Sequence, residues 1–95
     1  MKKLIVVVLV VFAFSFALSG CYSATRNQMQ TAQKLISDLK AQGGEQKAPY
    51  EYWSAEKYLE VSGIEFNETG YGPAKEFADR SIAAAQAGLA KVRGK

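Results

Sequence analysis

Few side chains in this sequence have the chemistry of a catalytic or metal site. Its 95 residues include no histidine and a single cysteine, which removes the commonest general base and any internal disulfide. Glu56 and Glu60 lie one turn apart on a predicted helix and could serve as acid and base. Lys57 lies beside them, however, and favours a solvated, charged helix face. With no nucleophile–base pair, phosphate-binding loop or metal-ligand spacing visible, we predict a non-enzyme that holds no metal or cofactor.

The single cysteine, Cys21, follows a segment of distinctive composition. Lys2 and Lys3 provide a short positive start, and residues 4–18 are apolar except for Ser15. This run of about fifteen residues is shorter than the roughly twenty that a membrane-spanning helix needs. Small residues end it, and no positive cluster follows. The pattern is typical of a cleaved signal peptide.

The end of this segment resembles the lipobox of bacterial lipoprotein precursors, an aliphatic residue and two small residues before a cysteine. All four positions are filled, by Leu18, Ser19, Gly20 and Cys21. The resemblance implies a signal peptide at 1–20, removed by cleavage before Cys21, and a lipidated N-terminus at 21–24. It also implies diacylglycerol and an amide-linked acyl chain such as palmitate on Cys21. The alternative is an uncleaved short anchor with an incidental cysteine.

Lipidation of Cys21 would fix the location of the protein. Each buried CH₂ of an acyl chain contributes about 0.8 kcal/mol, so two or more chains give stable anchoring. The next residue is Tyr22 and not aspartate, which resembles lipoproteins sorted to the outer membrane. The expected location is therefore the periplasmic face of that membrane, with residues 25–95 as a periplasmic domain.

The charge of the mature chain argues against nucleic acid as a partner. Removing Lys2 and Lys3 from the twelve basic residues leaves ten, against nine acidic ones. Phosphate recognition needs a basic cluster, and none is present. We therefore predict no nucleic-acid binding.

Hydrophobic periodicity predicts an all-α fold, a small three-helix domain with helices at about 25–42, 49–68 and 73–92. Thr25 and Gln28 read as a capping box that begins the first helix, and Gly43-Gly44 ends it. Pro49 and Pro73 are placed as first-turn prolines of the other two. Ser62-Gly63 interrupts the second helix, which predicts close approach by a neighbouring helix there.

The chain from residue 48 on resembles a helical domain found in many bacterial lipoproteins, domain of unknown function 4398. The matching residues are Ala48-Pro49-Tyr50-Glu51-Tyr52, Ala55, Tyr58-Leu59, Tyr71, Ala74 and Phe77-Ala78. The second half is also similar to a single tetratricopeptide-like unit, with Tyr71 in the turn. Both resemblances imply a central antiparallel helical hairpin, the first also implies a location in the cell envelope, and neither implies an activity.

Aromatic residues crowd the second helix, and its two aromatic faces cannot both point into a three-helix core. Tyr50 and Trp53 lie on a different face from Tyr52 and Ala55. One interpretation places Tyr50, Trp53 and Tyr71 on a partner-binding surface, since aromatic residues concentrate binding energy at interfaces. The other places the rings in the core of a domain short of large aliphatic residues.

The sequence thus predicts a membrane-anchored envelope lipoprotein that acts as a scaffold or protein-interaction module. Its partners would be membrane lipid through Cys21 and either another envelope protein or a second copy of itself. The alternative is a peptidoglycan-binding module that uses the aromatic helix 49–58.

Overall fold

The computed structural model describes the backbone of residues 2–94 and the side chains of residues 2–12 and 22–94. Within residues 2–94 the chain forms no strand and four helices: α1 Lys2–Ala41, α2 Gly44–Lys47, α3 Pro49–Asn67 and α4 Tyr71–Arg93. The all-helical class and the helical hairpin are confirmed, while the number and extent of the helices differ from the prediction.

Three of these helices form an up-down-up bundle. Residues of α1 meet residues of α4 in increasing order, Thr25 with Tyr71 and Gln28 with Asp79, so these two helices run parallel. α3 runs antiparallel to both, and α3 and α4 make the hairpin. The first part of α1 continues beyond the bundle, and the molecule is accordingly 67 Å long and only 23 Å by 14 Å in cross-section.

The end of α1 and the start of α3 were predicted correctly from local sequence signals. α1 ends at Ala41, and Gly43 then takes a positive φ of 81°, which costs glycine no steric strain. The single turn α2 follows, and α3 begins at Pro49. Proline has no N–H, but an N–H in the first turn would make no hydrogen bond within the helix, so none is lost.

The predicted start of the first helix at Thr25 is wrong, because α1 runs continuously through that residue. Thr25 is only 1% exposed, and its hydroxyl donates to the Tyr71 carbonyl at 3.1 Å. Gln28 donates to the Asp79 carboxylate. Both side chains therefore join α1 to α4, from positions inside a continuous helix. No proline interrupts residues 2–24, so the helical hydrogen-bond ladder continues through them.

The predicted start of the third helix at Pro73 is two residues late, since α4 begins at Tyr71. Pro73 still lies in the first turn, where its missing N–H breaks no helical hydrogen bond.

Leu39 is the centre of the core. It is fully buried near the end of α1, where it meets two glycines. A Cβ added at Gly44 would lie 2.4 Å from Leu39 Cγ, and one at Gly88 would lie 2.7 Å from Leu39 Cδ2. The remaining buried residues of this core cluster are Ile36, Tyr52, Ala55, Ala85 and Leu89.

Small residues line the buried face of α4 and let α3 approach closely. The buried positions at steps of three and four are Ala74, Ala78, Ser81, Ala85 and Gly88. Two buried hydroxyls use this proximity: Ser62 Oγ donates to the Ala74 carbonyl at 2.6 Å, and Ser81 Oγ to the Ala55 carbonyl at 2.7 Å. A helical carbonyl has a second lone pair, so it accepts these bonds without losing its own.

The predicted close approach at Ser62-Gly63 is therefore correct for Ser62 and wrong for Gly63. A Cβ at Gly63 would meet nothing within 4 Å, because this residue lies on the outer side of α3.

Two glycine-to-alanine substitutions are expected to change stability in opposite directions. Gly63→Ala adds a methyl group in open space and should stabilise the chain by about 0.5–1 kcal/mol through helix propensity. Gly88→Ala forces Leu39 out of place and should destabilise it by about 1–3 kcal/mol. Urea unfolding followed by circular dichroism measures both. A Gly88→Ala variant as stable as Gly63→Ala would contradict the packing around Leu39.

Candidate partner-binding surface

The structure separates the aromatic residues of α3 into a buried and an exposed set. Tyr52 is 3% exposed and belongs to the core, whereas Tyr50 is 79% and Trp53 59% exposed. Tyr58 is partly buried and stacks on Phe77 of α4, with ring centroids 6.3 Å apart. Tyr52 therefore belongs to the core, as one of the two interpretations predicts, and Tyr50 and Trp53 lie on the surface.

The start of α3 explains why Tyr50 and Trp53 point outward. Ala48 is fully buried before the helix, and Pro49 fixes its first turn. Glu51 then faces α4, where its carboxylate lies 3.6 Å from the Lys91 ammonium. With Glu51 and Tyr52 directed inward, helical geometry places residues 50 and 53 on the opposite side.

Tyr52 anchors this part of the helix from inside. Its hydroxyl donates to Glu56 Oε1 at 3.1 Å, and its ring meets the Trp53 ring edge-on at 5.1 Å between centroids. Burial, together with the hydrogen bond to Glu56 and the negative charge of that residue, raises the pKa of Tyr52 from 10.0 to about 12.

Tyr71 lies at the other end of the hairpin from Tyr50 and Trp53. It is partly buried in a cluster of three rings, 5.6 Å from Tyr22 and 5.4 Å from Phe66 between centroids. The length of α3, about 20 Å from residue 53 to its end, separates it from Trp53. The three predicted binding residues are therefore not brought together, and Tyr71 joins α1 to the hairpin.

The exposed aromatics instead continue along α3 as a stripe that sequence reasoning missed. Lys57, Glu60 and Ile64 follow Tyr50 and Trp53 at steps of four and three, and Ile64 is 51% exposed. We call residues 50, 53, 57, 60, 64 and 67 the outer stripe of α3. Lys57 and Glu60 form an exposed ion pair at 3.8 Å within it. The three-and-four spacing was available from the sequence as a signal.

The structure gives no support to an acid–base pair at Glu56 and Glu60. Glu56 accepts the Tyr52 hydroxyl, while Glu60 is exposed and pairs with Lys57. An open groove of about 320 Å³ lies between α1 and α3, and neither carboxylate lines it; its lining is Arg26, Met29, Gln30, Gln33, Leu59 and Phe66. Among the described residues no acidic or cysteine cluster is suited to a metal ion.

The predicted lipidation site, Cys21, lies outside the described side chains, as do Leu18, Ser19 and Gly20. On one side of them, residues 4–10 of α1 are exposed along their whole length. On the other side, Tyr22 contacts Phe66, with ring centroids 5.3 Å apart. In the described part of the chain, no helix combines the length and apolarity needed to cross a membrane.

Comparison of the chain with family models, curated proteins and solved structures found no match in any of the three.

The raised pKa of Tyr52 predicts a loss of stability at alkaline pH. The folded state holds the Tyr52 proton up to about pH 12, whereas the unfolded chain releases it near 10.0. The unfolded state thus binds fewer protons between these values, so the stabilisation is complete below pH 10 and is lost as the pH rises through about 12.

This contribution can be isolated by comparing two phenylalanine variants. The free energy of unfolding should fall less steeply above pH 10 in Tyr52→Phe than in the parent chain. Tyr50→Phe removes an equivalent but exposed hydroxyl and should follow the parent. Identical slopes for the two variants would show that Tyr52 titrates normally.

Proposed function

We propose that this chain is a membrane-anchored lipoprotein of the bacterial cell envelope, with its bundle acting as a non-enzymatic interaction module. The signal peptide would occupy residues 1–20, and lipid on Cys21 would hold the bundle at the periplasmic face of the outer membrane.

The observation that carries the anchoring proposal is the place where α1 changes surroundings. Residues 4–10 expose a continuous apolar surface, whereas from Tyr22 onward the helix packs on α3 and α4. The Thr25 hydroxyl donates a hydrogen bond to the Tyr71 carbonyl at the start of α4. The change falls between residues 12 and 22, an interval that includes the predicted cleavage site. Removal of residues 1–20 would leave the contacts of Tyr22 and Thr25 with the hairpin intact.

The interaction role rests on the outer stripe of α3. Tyr50 and Trp53 expose large aromatic surfaces on a helix whose opposite face is fully engaged in the core. Aromatic residues of this kind contribute most of the binding energy at protein interfaces. Their position on a rigid helix, fixed by Tyr52 and Glu51 from inside, provides a preformed surface.

The same two residues favour peptidoglycan as a second candidate. Exposed aromatic rings can stack on the apolar faces of sugar rings. Tyr50 and Trp53 both belong to the aromatic helix 49–58 for which peptidoglycan binding was the alternative prediction.

The lipoprotein assignment is tested by labelling. A tagged chain expressed in a Gram-negative host with a clickable palmitate analogue should carry the label and lack residues 1–20. Cys21→Ser should be unlabelled and full-length, and Ser23→Ala, which leaves the lipobox intact, should behave as the parent. A parent chain that keeps residues 1–20 and takes no label would contradict the assignment.

The peptidoglycan alternative is tested with purified sacculi. Cosedimentation of the full chain in mild detergent should be lost in Trp53→Ala and kept in Gln86→Ala, an exposed position on α4. Equal retention of all three chains, or no retention of the parent, would exclude a sugar-binding role for the aromatic helix.

A further inference from the structure

The outer stripe of α3 has the spacing of a coiled-coil seam, and no helix within the described residues covers it. Its positions alternate steps of three and four over the whole helix, as do the apolar positions of paired helices. The inner face of the same helix, around Tyr52, Ala55 and Ser62, is already buried against the bundle. A partner would thus have to come from outside.

We propose that the partner is a second copy of this chain, bound through the outer stripes of two antiparallel α3 helices. In a two-fold symmetric pair each contact occurs twice, because residue i of one copy meets residue j of the other and residue j meets residue i. The stripe must therefore be complementary to a second stripe that runs in the opposite direction. A two-fold axis between residues 58 and 59 gives such a match. It places Trp53 opposite Ile64 of the second copy, and Tyr50 opposite Asn67.

The charges select this orientation. The same axis places Lys57 of each copy opposite Glu60 of the other, which creates two attractive pairs. A parallel arrangement would place lysine against lysine and glutamate against glutamate, and like charges across an interface disfavour it. The Lys57–Glu60 ion pair within one copy is long, at 3.8 Å, and highly exposed. Such a pair contributes little to stability, so each charge can pair with the second copy at little cost.

Gly63 fits the same interface. It is the one interruption in the helix that the bundle does not explain, because a Cβ there would meet nothing within 4 Å. The two-fold axis places it opposite Ser54 of the second copy. Two small residues at facing positions let the helices approach closely, as the small face of α4 does within the bundle.

The seam is short, about 25 Å of helix with six residues from each copy. It falls at the lower end of the size of specific interfaces, so we expect a reversible, concentration-dependent dimer. Attachment to a membrane would favour it by confining both copies to one surface.

This inference rests on the proposed function only in treating the outer stripe as a binding surface, and it names the partner. α1 runs antiparallel to α3, so the two Cys21 positions would lie at opposite ends of the dimer. If both lipids enter one membrane, the two bundles must lie along its surface.

Charge reversal provides the test. Two tagged copies of the full chain are expressed together, one tag is captured from detergent-solubilised envelopes, and recovery of the other is quantified. Lys57→Glu paired with itself, and Glu60→Lys paired with itself, should each reduce recovery about tenfold, because both pairs of facing charges become repulsive. Lys57→Glu paired with Glu60→Lys should restore recovery to the parent level.

The mixed pair separates contact between copies from effects within one copy. Each single variant keeps its internal like-charge repulsion in the mixture, so only facing charges can account for restoration. Arg80→Glu and Glu76→Lys reverse an equivalent exposed ion pair on α4, at 2.8 Å, and should leave recovery unchanged. Failure of the mixture to restore recovery, or no loss in the single variants, would overturn the proposed dimer.

A photo-crosslinking residue at position 53 distinguishes failure of the dimer from failure of the proposed function. A self-adduct that disappears in Lys57→Glu supports the dimer. An adduct with a different envelope protein, together with no copy-to-copy recovery, overturns the dimer and leaves the interaction module standing. No adduct at all would overturn both.

Discussion

Close backbone approach along α4 is the constraint on which the bundle depends. Its fully buried positions from Ala74 to Gly88 carry no side chain larger than serine, so the neighbouring helices come near enough for hydroxyls to reach backbone carbonyls. Leu39 then fills the space that Gly44 of α2 and Gly88 of α4 leave open, and so joins the end of α1 to these two helices. A chain this small gains specificity from such fitted contacts, because its core has few large aliphatic residues.

Much of the fold was predictable from local signals, and the errors have a common physical origin. Gly43 and Pro49 each determine the backbone of a single turn. The end of α1 and the start of α3 could therefore be predicted from the sequence alone. Thr25 has the right neighbours for a cap, but whether a helix begins or continues at a threonine depends on the backbone before it and on what its hydroxyl meets. The hydroxyl meets the Tyr71 carbonyl, 46 residues away, which no local pattern reveals.

The candidate surface was predictable only in part for a similar reason. Helical spacing separates Tyr50 and Trp53 from Tyr52, but aromatic residues occur on both faces, so residue type does not show which rings are buried. The structure buries the face that carries Ala55 and Ser62 against small residues of α4, a long-range contact that the pattern of α3 alone does not reveal. Tyr71 was grouped with the other two by residue type, and the hairpin places it at the opposite end.

The continuity of α1 has a consequence for the proposed maturation of the chain. Cleavage before Cys21 would turn the middle of a helix into its N-terminus and leave the first backbone N–H groups without acceptors. Thr25 lies too far along the shortened helix to cap them, because an N-cap hydroxyl accepts from N–H groups that follow it in the chain. Those N–H groups, with the positive end of the helix dipole, would lie where the acyl chains enter the membrane. Water and lipid phosphates at that interface are the acceptors within reach, so the membrane itself would complete the helix.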